Sequence, residues 1–107
     1  MRVVVAGPDE NGIATALEEA GASVTAVATT DRPALEEAGV VDADTLVLTA
    51  ASDAIAAPIA VDLNPDLRVV GYLDGSLPEY VASSVDMSVD PALISRSMFI
   101  EELLDDR

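Results

Sequence analysis

The stretch VVVAGPDENG, residues 3–12, indicates the fold more directly than any other part of the sequence. Its four leading apolar residues are typical of a short strand that is buried on both faces of a parallel sheet. Gly7 and Pro8 end this strand, and residues 12–20 then place apolar side chains at helical spacing until Gly21. A strand, a glycine-containing turn and a helix in this order predict the first unit of an α/β fold.

The rest of the sequence continues this alternation. Further strands are predicted at residues 23–27, 45–49, 68–72 and 86–89, and further helices at 33–38, about 53–63, 77–82 and beyond Asp90. Asp31 is expected to cap the second helix and Ser52 or Asp53 the third, in which Pro58 should cause a kink or a delayed start. This pattern predicts one domain, residues 1–107, with a three-layer α/β/α, Rossmann-like architecture.

Composition excludes several kinds of chemistry. The formal net charge is −15, and the sequence contains no lysine, histidine, cysteine or tryptophan. Zinc sites of the usual kinds, disulfides and Ser-His or Cys-His catalytic pairs are therefore excluded, which favours a non-enzymatic protein. The negative field repels nucleic acids, and the absence of a signal peptide or a membrane span predicts a cytoplasmic protein without direct membrane insertion.

Candidate ligand-binding residues lie where predicted strands end. The first strand-to-helix turn keeps the outer glycines of a G-x-G-x-x-G dinucleotide motif but has Asp9 in place of the middle glycine. The Asp9 carboxylate would repel a phosphate and can instead cap the following helix. The favoured interpretation is therefore that this turn only caps the helix and binds no ligand. A cation site formed by Asp9, Glu10 and Asp53 is a further alternative. The candidate ligand-binding residues are Gly7, Asp9, Glu10, Asn11, Gly12, Thr29, Asp31, Thr49 and Asp53.

Several segments are similar to a known family. Residues 35–44, LEEAGVVDAD, resemble the L-x-x-A-G-[IV]-x-x-A-D segment of RCK N-terminal domains, the NAD-binding regulatory domains of potassium channels and transporters. Residues 45–49 followed by Asp53, residues 63–70 and residues 85–91 continue the resemblance. It implies a regulatory domain with a membrane transport partner. Because RCK domains usually pair, it also implies a homodimer, for which residues 95–104 offer apolar side chains.

Departures from the RCK pattern concern the ligand. Asp9 replaces the middle glycine and the usual ribose-binding acid is missing, so NAD or another nucleotide is disfavoured as a cofactor. One strand-helix unit of the family is also absent. This leaves about five parallel strands in the flavodoxin-like order 2-1-3-4-5.

That strand order also fits a response-regulator receiver. Receivers need paired acids after the first strand, a phosphorylatable Asp after the third and a Lys after the fifth. Asp9 and Glu10 could imitate the pair, but Thr49 ends the third strand and the chain has no lysine. The sequence therefore favours the RCK-like interpretation over a receiver.

Besides the cation site of Asp9, Glu10 and Asp53, two functional hypotheses follow from the sequence. The favoured one is a non-enzymatic regulatory or interaction domain. The alternative is a small-molecule or nucleotide-binding protein, or an enzyme, that uses the cleft between residues 7–12 and residues 49–53.

The acidic composition generates a first prediction. The acids are distributed along the whole chain and lysine is absent, as in proteins of halophilic archaea. Salt screens the repulsion between like charges, so the melting temperature should rise with KCl concentration. Thermal unfolding from low to molar KCl measures this effect. A melting temperature that does not depend on KCl would contradict it.

Overall fold

Five strands and five α-helices alternate along the chain in the structure, a computed structural model that describes residues 1–9, 11–74 and 77–105. Two single 3₁₀ turns, Val40–Asp42 and Ala51–Asp53, flank the third strand. The strands are β1 (Arg2–Ala6), β2 (Ser23–Val27), β3 (Thr45–Leu48), β4 (Arg68–Tyr72) and β5 (Met87–Val89). The helices are α1 (Ile13–Glu19), α2 (Arg32–Glu37), α3 (Ala56–Leu63), α4 (Glu79–Ala82) and α5 (Arg96–Asp105).

The strands form one parallel sheet with the order β2-β1-β3-β4-β5. Val5 is paired with Ala26 on one side and with Val47 on the other, so β1 lies at the point where the strand order changes direction. This topology confirms the predicted flavodoxin-like, doubly wound fold.

Helices cover both faces of the sheet. On one face, Val4, Leu46 and Val69 pack against residues of α2, α3 and α4. On the other face, Val3, Val47 and Val70 pack against residues of α1 and α5. Alternate residues of one strand belong to different clusters because successive side chains of a strand point to opposite faces. The three-layer architecture is thereby confirmed.

Polar side chains in the connections that lead into β3, β4 and β5 bond to nearby backbone groups. The Asp44 carboxylate accepts the N–H of Arg2 at 2.8 Å, and the Asp86 carboxylate accepts the N–H of Val69 at 2.8 Å. The side-chain amide of Asn64 donates to the carbonyls of Val40 and Ala43, both at 3.0 Å. The two carboxylates satisfy backbone N–H groups of β1 and β4, whereas the amide of Asn64 adds a second donor to the Val40 carbonyl, which already accepts the N–H of Ala43.

The second helix begins as predicted, whereas the third does not. Asp31 accepts the N–H of Ala34 at 3.0 Å and caps α2. Neither Ser52 nor Asp53 caps α3, because the 3₁₀ turn Ala51–Asp53 intervenes and the helix begins only at Ala56. Pro58 is the third residue of α3, where a missing N–H costs no intrahelical bond. The expectation that Pro58 delays the helix was therefore correct, and the prediction of a side-chain cap was wrong.

The C-terminal helix packs against its own sheet. Ile100 and Leu103 are buried and Phe99 is only 1% exposed, whereas Met98 is 53% exposed. The Phe99 ring stacks on Tyr72 with 4.6 Å between ring centroids. Most apolar residues of segment 95–104 thus pack within the chain, and they do not support the predicted homodimer face.

Among residues 1–9, 11–74 and 77–105, no helix has the length and apolar character that a membrane span requires.

The neighbouring residues Met98 and Phe99 provide a matched test of this packing. Phe99→Ala should lower the free energy of unfolding by about 3–5 kcal/mol, since it removes a buried aromatic ring. Met98→Ala should change it by less than about 0.5 kcal/mol, since surface substitutions usually fall within this range. Chemical denaturation in molar KCl measures both values. Equal losses in the two variants would contradict the orientation of α5.

Candidate functional site

The carboxyl ends of β1 and β3 meet at one edge of the sheet, where three predicted site residues lie together. Gly7 follows β1 with φ +112°, and Thr49 follows β3. A Cβ atom at Gly7 would lie 2.6 Å from Thr49 Oγ1 and 3.0 Å from Asp53 Oδ2. Glycine is therefore required both by the backbone conformation and by the close approach of these two side chains. The Thr49 hydroxyl donates to the Ala6 carbonyl at 3.3 Å.

Asp9 caps the first helix from the preceding turn. One carboxylate oxygen accepts the N–H of Ile13 at 2.7 Å, and the other accepts the N–H of Ala14 at 3.1 Å. These N–H groups belong to the first turn of α1 and have no acceptor within the helix. A negative charge is also favourable at a helix N-terminus. Both oxygens of Asp9 are thus engaged by the protein's own backbone.

The remaining part of this turn contacts α5. Arg96, the first residue of α5, donates from Nη1 to the carbonyl of Asn11 at 3.1 Å. The same guanidinium nitrogen would lie 2.9 Å from a Cβ atom at Gly12, whose φ of +65° is in the left-handed region. Arg96 therefore connects the β1–α1 turn to the C-terminal helix and places a positive charge beside it.

A cleft of about 390 Å³ lies at this edge of the sheet. It is lined by Asn11, Thr49, Tyr72, Leu73, Asp74, Asp90, Pro91 and Ala92, which follow or end β1, β3, β4 and β5. Among these lining residues, Asp74 and Asp90 are acidic and none is basic. One Asp90 oxygen accepts the N–H of Ala92 at 2.8 Å. The cleft therefore disfavours phosphate groups and favours neutral or cationic molecules.

The structure brings some of the predicted residues together and separates others. Asn11 and Thr49 line the cleft. Gly7 lies close to both the Thr49 hydroxyl and the Asp53 carboxylate. Thr29 is exposed on the β2–α2 connection, where Asp31 caps α2, and neither residue lines the cleft. Glu10 lies outside the described residues.

The sequence analysis did not identify the part of the cleft that follows β4 and β5. Tyr72, Asp74 and Asp90 directly end or follow these strands. The carboxyl-edge rule that identified Thr49 would have found them if it had been applied to the last two strands as well.

A cation site has little support from the described residues. In residues 1–9, 11–74 and 77–105, no group of three or more His, Cys, Asp or Glu side chains could hold a metal ion. Of the three predicted ligands, Asp9 is engaged with α1 and Glu10 lies outside this part of the chain.

The capping role of Asp9 can be tested by substitution. Asp9→Ala should lower the free energy of unfolding by about 1–2 kcal/mol, because it leaves two N–H groups of α1 without their acceptors. Asp9→Asn should recover only part of the loss, since its single amide oxygen can accept one of the two N–H groups and its NH2 group cannot accept the other. Asp31→Ala is the matched control, because Asp31 accepts one N–H in an exposed cap and its removal should cost less. Denaturation curves with Asp9→Ala equal to wild type would contradict this role.

Comparison with solved structures identifies proteins with the same fold. A pilus assembly-related protein from Burkholderia pseudomallei is similar over 98% of this chain and 87% of its own, with a TM-score of 0.66 and 15% identity. A response regulator from the same organism, solved with a phosphorylated aspartic acid, a calcium ion and citrate, is similar over 98% of this chain and 71% of its own. Its TM-score is 0.62 and its identity 18%. At these identities the similarity establishes the fold alone.

These comparisons correct the assignment made from the sequence. The RCK resemblance was wrong, since the similar structures are a pilus assembly-related protein and a response regulator, and the matching sequence family is a different one. The membrane transport partner inferred from that resemblance loses its basis. No curated protein matches the chain in sequence. The model of a family of unknown function, DUF7126, matches residues 3–103, and the chain belongs to that family.

Proposed function

We propose that this protein is a non-enzymatic interaction domain, which uses a receiver-like fold to bind protein surfaces and does not transfer phosphoryl groups. The observation that carries the proposal is the engagement of Asp9. Receivers need acids after β1, and Asp9 is the described acid in that place. Its two oxygens accept the N–H groups of Ile13 and Ala14, so the carboxylate stabilises the fold.

The ends of β3 and β5 support the same proposal. Thr49 stands after β3, where a receiver has the phosphorylatable aspartate, and its hydroxyl is bonded to the Ala6 carbonyl. Asp90 stands after β5, where a receiver has a lysine. A carboxylate there reverses the charge, and it would repel a phosphoryl group where a lysine attracts one.

The cleft supports a second candidate function, the binding of a small molecule. Its volume of about 390 Å³ lies within the usual range for ligand pockets. The Thr49 hydroxyl and the carboxylates of Asp74 and Asp90 suit a neutral polyol or an amine better than a nucleotide. The ligand-binding roles proposed for Asn11 and Thr49 belong to this alternative.

Two assays test the two candidates. In the first assay, the protein in molar KCl is treated with acetyl phosphate and Mg²⁺, and its intact mass is measured. In the second assay, its melting temperature is measured in molar KCl with NAD, ATP, AMP, a polyol or a diamine. We expect no phosphoryl adduct and no shift in melting temperature. A ligand at a hundred times its dissociation constant would add about 2.7 kcal/mol, which raises the melting temperature of a domain of this size by several degrees.

Each positive result has a defined meaning. A phosphoryl adduct would overturn the proposed function. A shift with the polyol or the diamine that is lost in Asp74→Asn would favour the second candidate. Glu79→Gln, an exposed substitution in α4, is the matched control for that variant.

A further inference from the structure

The two edges of the sheet differ in how they are protected. β5 has only three residues, Met87–Val89, and Asp86 and Asp90 stand directly before and after it. Short length and flanking charges are the usual means by which an edge strand avoids pairing with another chain. β2 has five residues, of which Ser23, Thr25 and Ala26 are exposed. Neither protection is present at this second edge.

Strand β2 also lies within the longest uncharged run of the sequence. Residues 20–30 contain no acidic or basic side chain, in a chain with twenty acids and five basic residues. The other long uncharged runs, residues 45–52 and 54–61, contain the buried strand β3 and most of the core helix α3. Two copies that each carry a charge of −15 repel one another least where charge is absent.

The hydrogen bonds of β2 show which backbone groups face outward. The N–H of Ser23 donates to the Met1 carbonyl at 2.9 Å, and the carbonyl of Val27 accepts the N–H of Gly7 at 3.4 Å. Odd-numbered residues of β2 therefore bond toward β1. Val24 and Ala26 direct their N–H and C=O groups away from the sheet, because alternate residues of a strand bond on opposite sides.

We propose that the β2 edge binds the β2 edge of a second copy of this chain in antiparallel fashion, so that the two sheets become continuous. A two-fold axis through Thr25 sets Val24 of each copy opposite Ala26 of the other. Such a pair exchanges both N–H···O bonds, which gives four bonds across the axis. This inference deepens the proposed function, on which it rests, by naming the partner.

Charges beside β2 are compatible with this arrangement. Two grooves on the α2 side of β2 share Thr25 and Ala38. The groove at the start of β2 is lined by Arg2 and Asp42, and Arg2 is paired with Ser23 in the sheet. The groove at the end of β2 is lined by Glu37. Antiparallel pairing brings the start of one strand to the end of the other. Arg2 would then lie between Asp42 of its own chain and Glu37 of the second copy.

The first test measures the mass of the protein in solution. Sedimentation equilibrium in molar KCl should give a concentration-dependent species of twice the 11.0 kDa chain mass. Thr25→Asp places two carboxylates opposite each other at the axis and should raise the dissociation constant at least about tenfold. Ser88→Asp adds the same charge to the exposed edge strand β5 and should leave the dimer unchanged. Circular dichroism and melting show whether each variant is folded.

A second pair of variants tests the register and does not alter β2 itself. Measured at the lowest KCl concentration at which the wild type stays folded, Arg2→Glu should weaken the dimer several-fold, because three acids then meet with less screening by salt. Adding Glu37→Arg to the same chain should restore dimerisation. A wild-type protein that is monomeric at every concentration would overturn the proposal, as would a dimer insensitive to Thr25→Asp and Arg2→Glu. Neither result affects the phosphoryl-transfer assay, which tests the proposed function separately.

Discussion

Strand β1 lies inside the sheet between β2 and β3 and has helices on both of its faces, so its residues Val3, Val4, Val5 and Ala6 are at most 2% exposed. This double burial is the constraint on which the rest of the structure depends. It requires apolar residues at consecutive positions, helices on both sides, and a turn that leaves the sheet at Gly7 without exposing backbone groups. The turn meets the last requirement through the φ angle of Gly7 and the Asp9 cap of α1.

The same constraint explains why the carboxyl edge of the sheet is occupied by internal contacts. Ligands of open α/β sheets usually bind where the strand order changes direction, and here that point lies between β1 and β3. The Thr49 hydroxyl is bonded to the Ala6 carbonyl, and the Asp53 carboxylate lies close to Gly7 on the same side as Thr49. The polar side chains found by sequence reasoning are present at this edge. Several of them stabilise the turn, which makes them less available to a ligand.

The fold could be predicted from the sequence because its signals are local and periodic. Continuous apolar runs, Gly21 and Gly39 after helices, and Asp31 before α2 set most element boundaries within one or two residues. The start of α3 was missed because a 3₁₀ turn and a helix start have similar polar signatures, and only the position of Pro58 separates them. The core role of Phe99 was missed because it depends on the ring of Tyr72, which is distant in sequence.

The RCK resemblance was misleading for a physical reason. Among its matching residues, Asp44 and Asp86 accept backbone N–H groups beside strand starts, and Asn64 bonds to two carbonyls before β3. Any doubly wound sheet must satisfy such groups, and short polar side chains at these places do so in unrelated families. A similarity made of these residues therefore carries information about the fold and little about the ligand.

What distinguishes this chain from a generic doubly wound domain is the distribution of its charge. The acids occupy helix surfaces and loops, including the ends of β5, but leave the β2 edge neutral. If the acids only kept the protein dispersed, both exposed edges would benefit from them equally, since unpaired strands attract other chains. The neutral edge lies far from the acidic cleft in the strand order, beyond β1. The distinctive surface of this protein is thus a sheet edge, whereas the switch point serves mainly the fold.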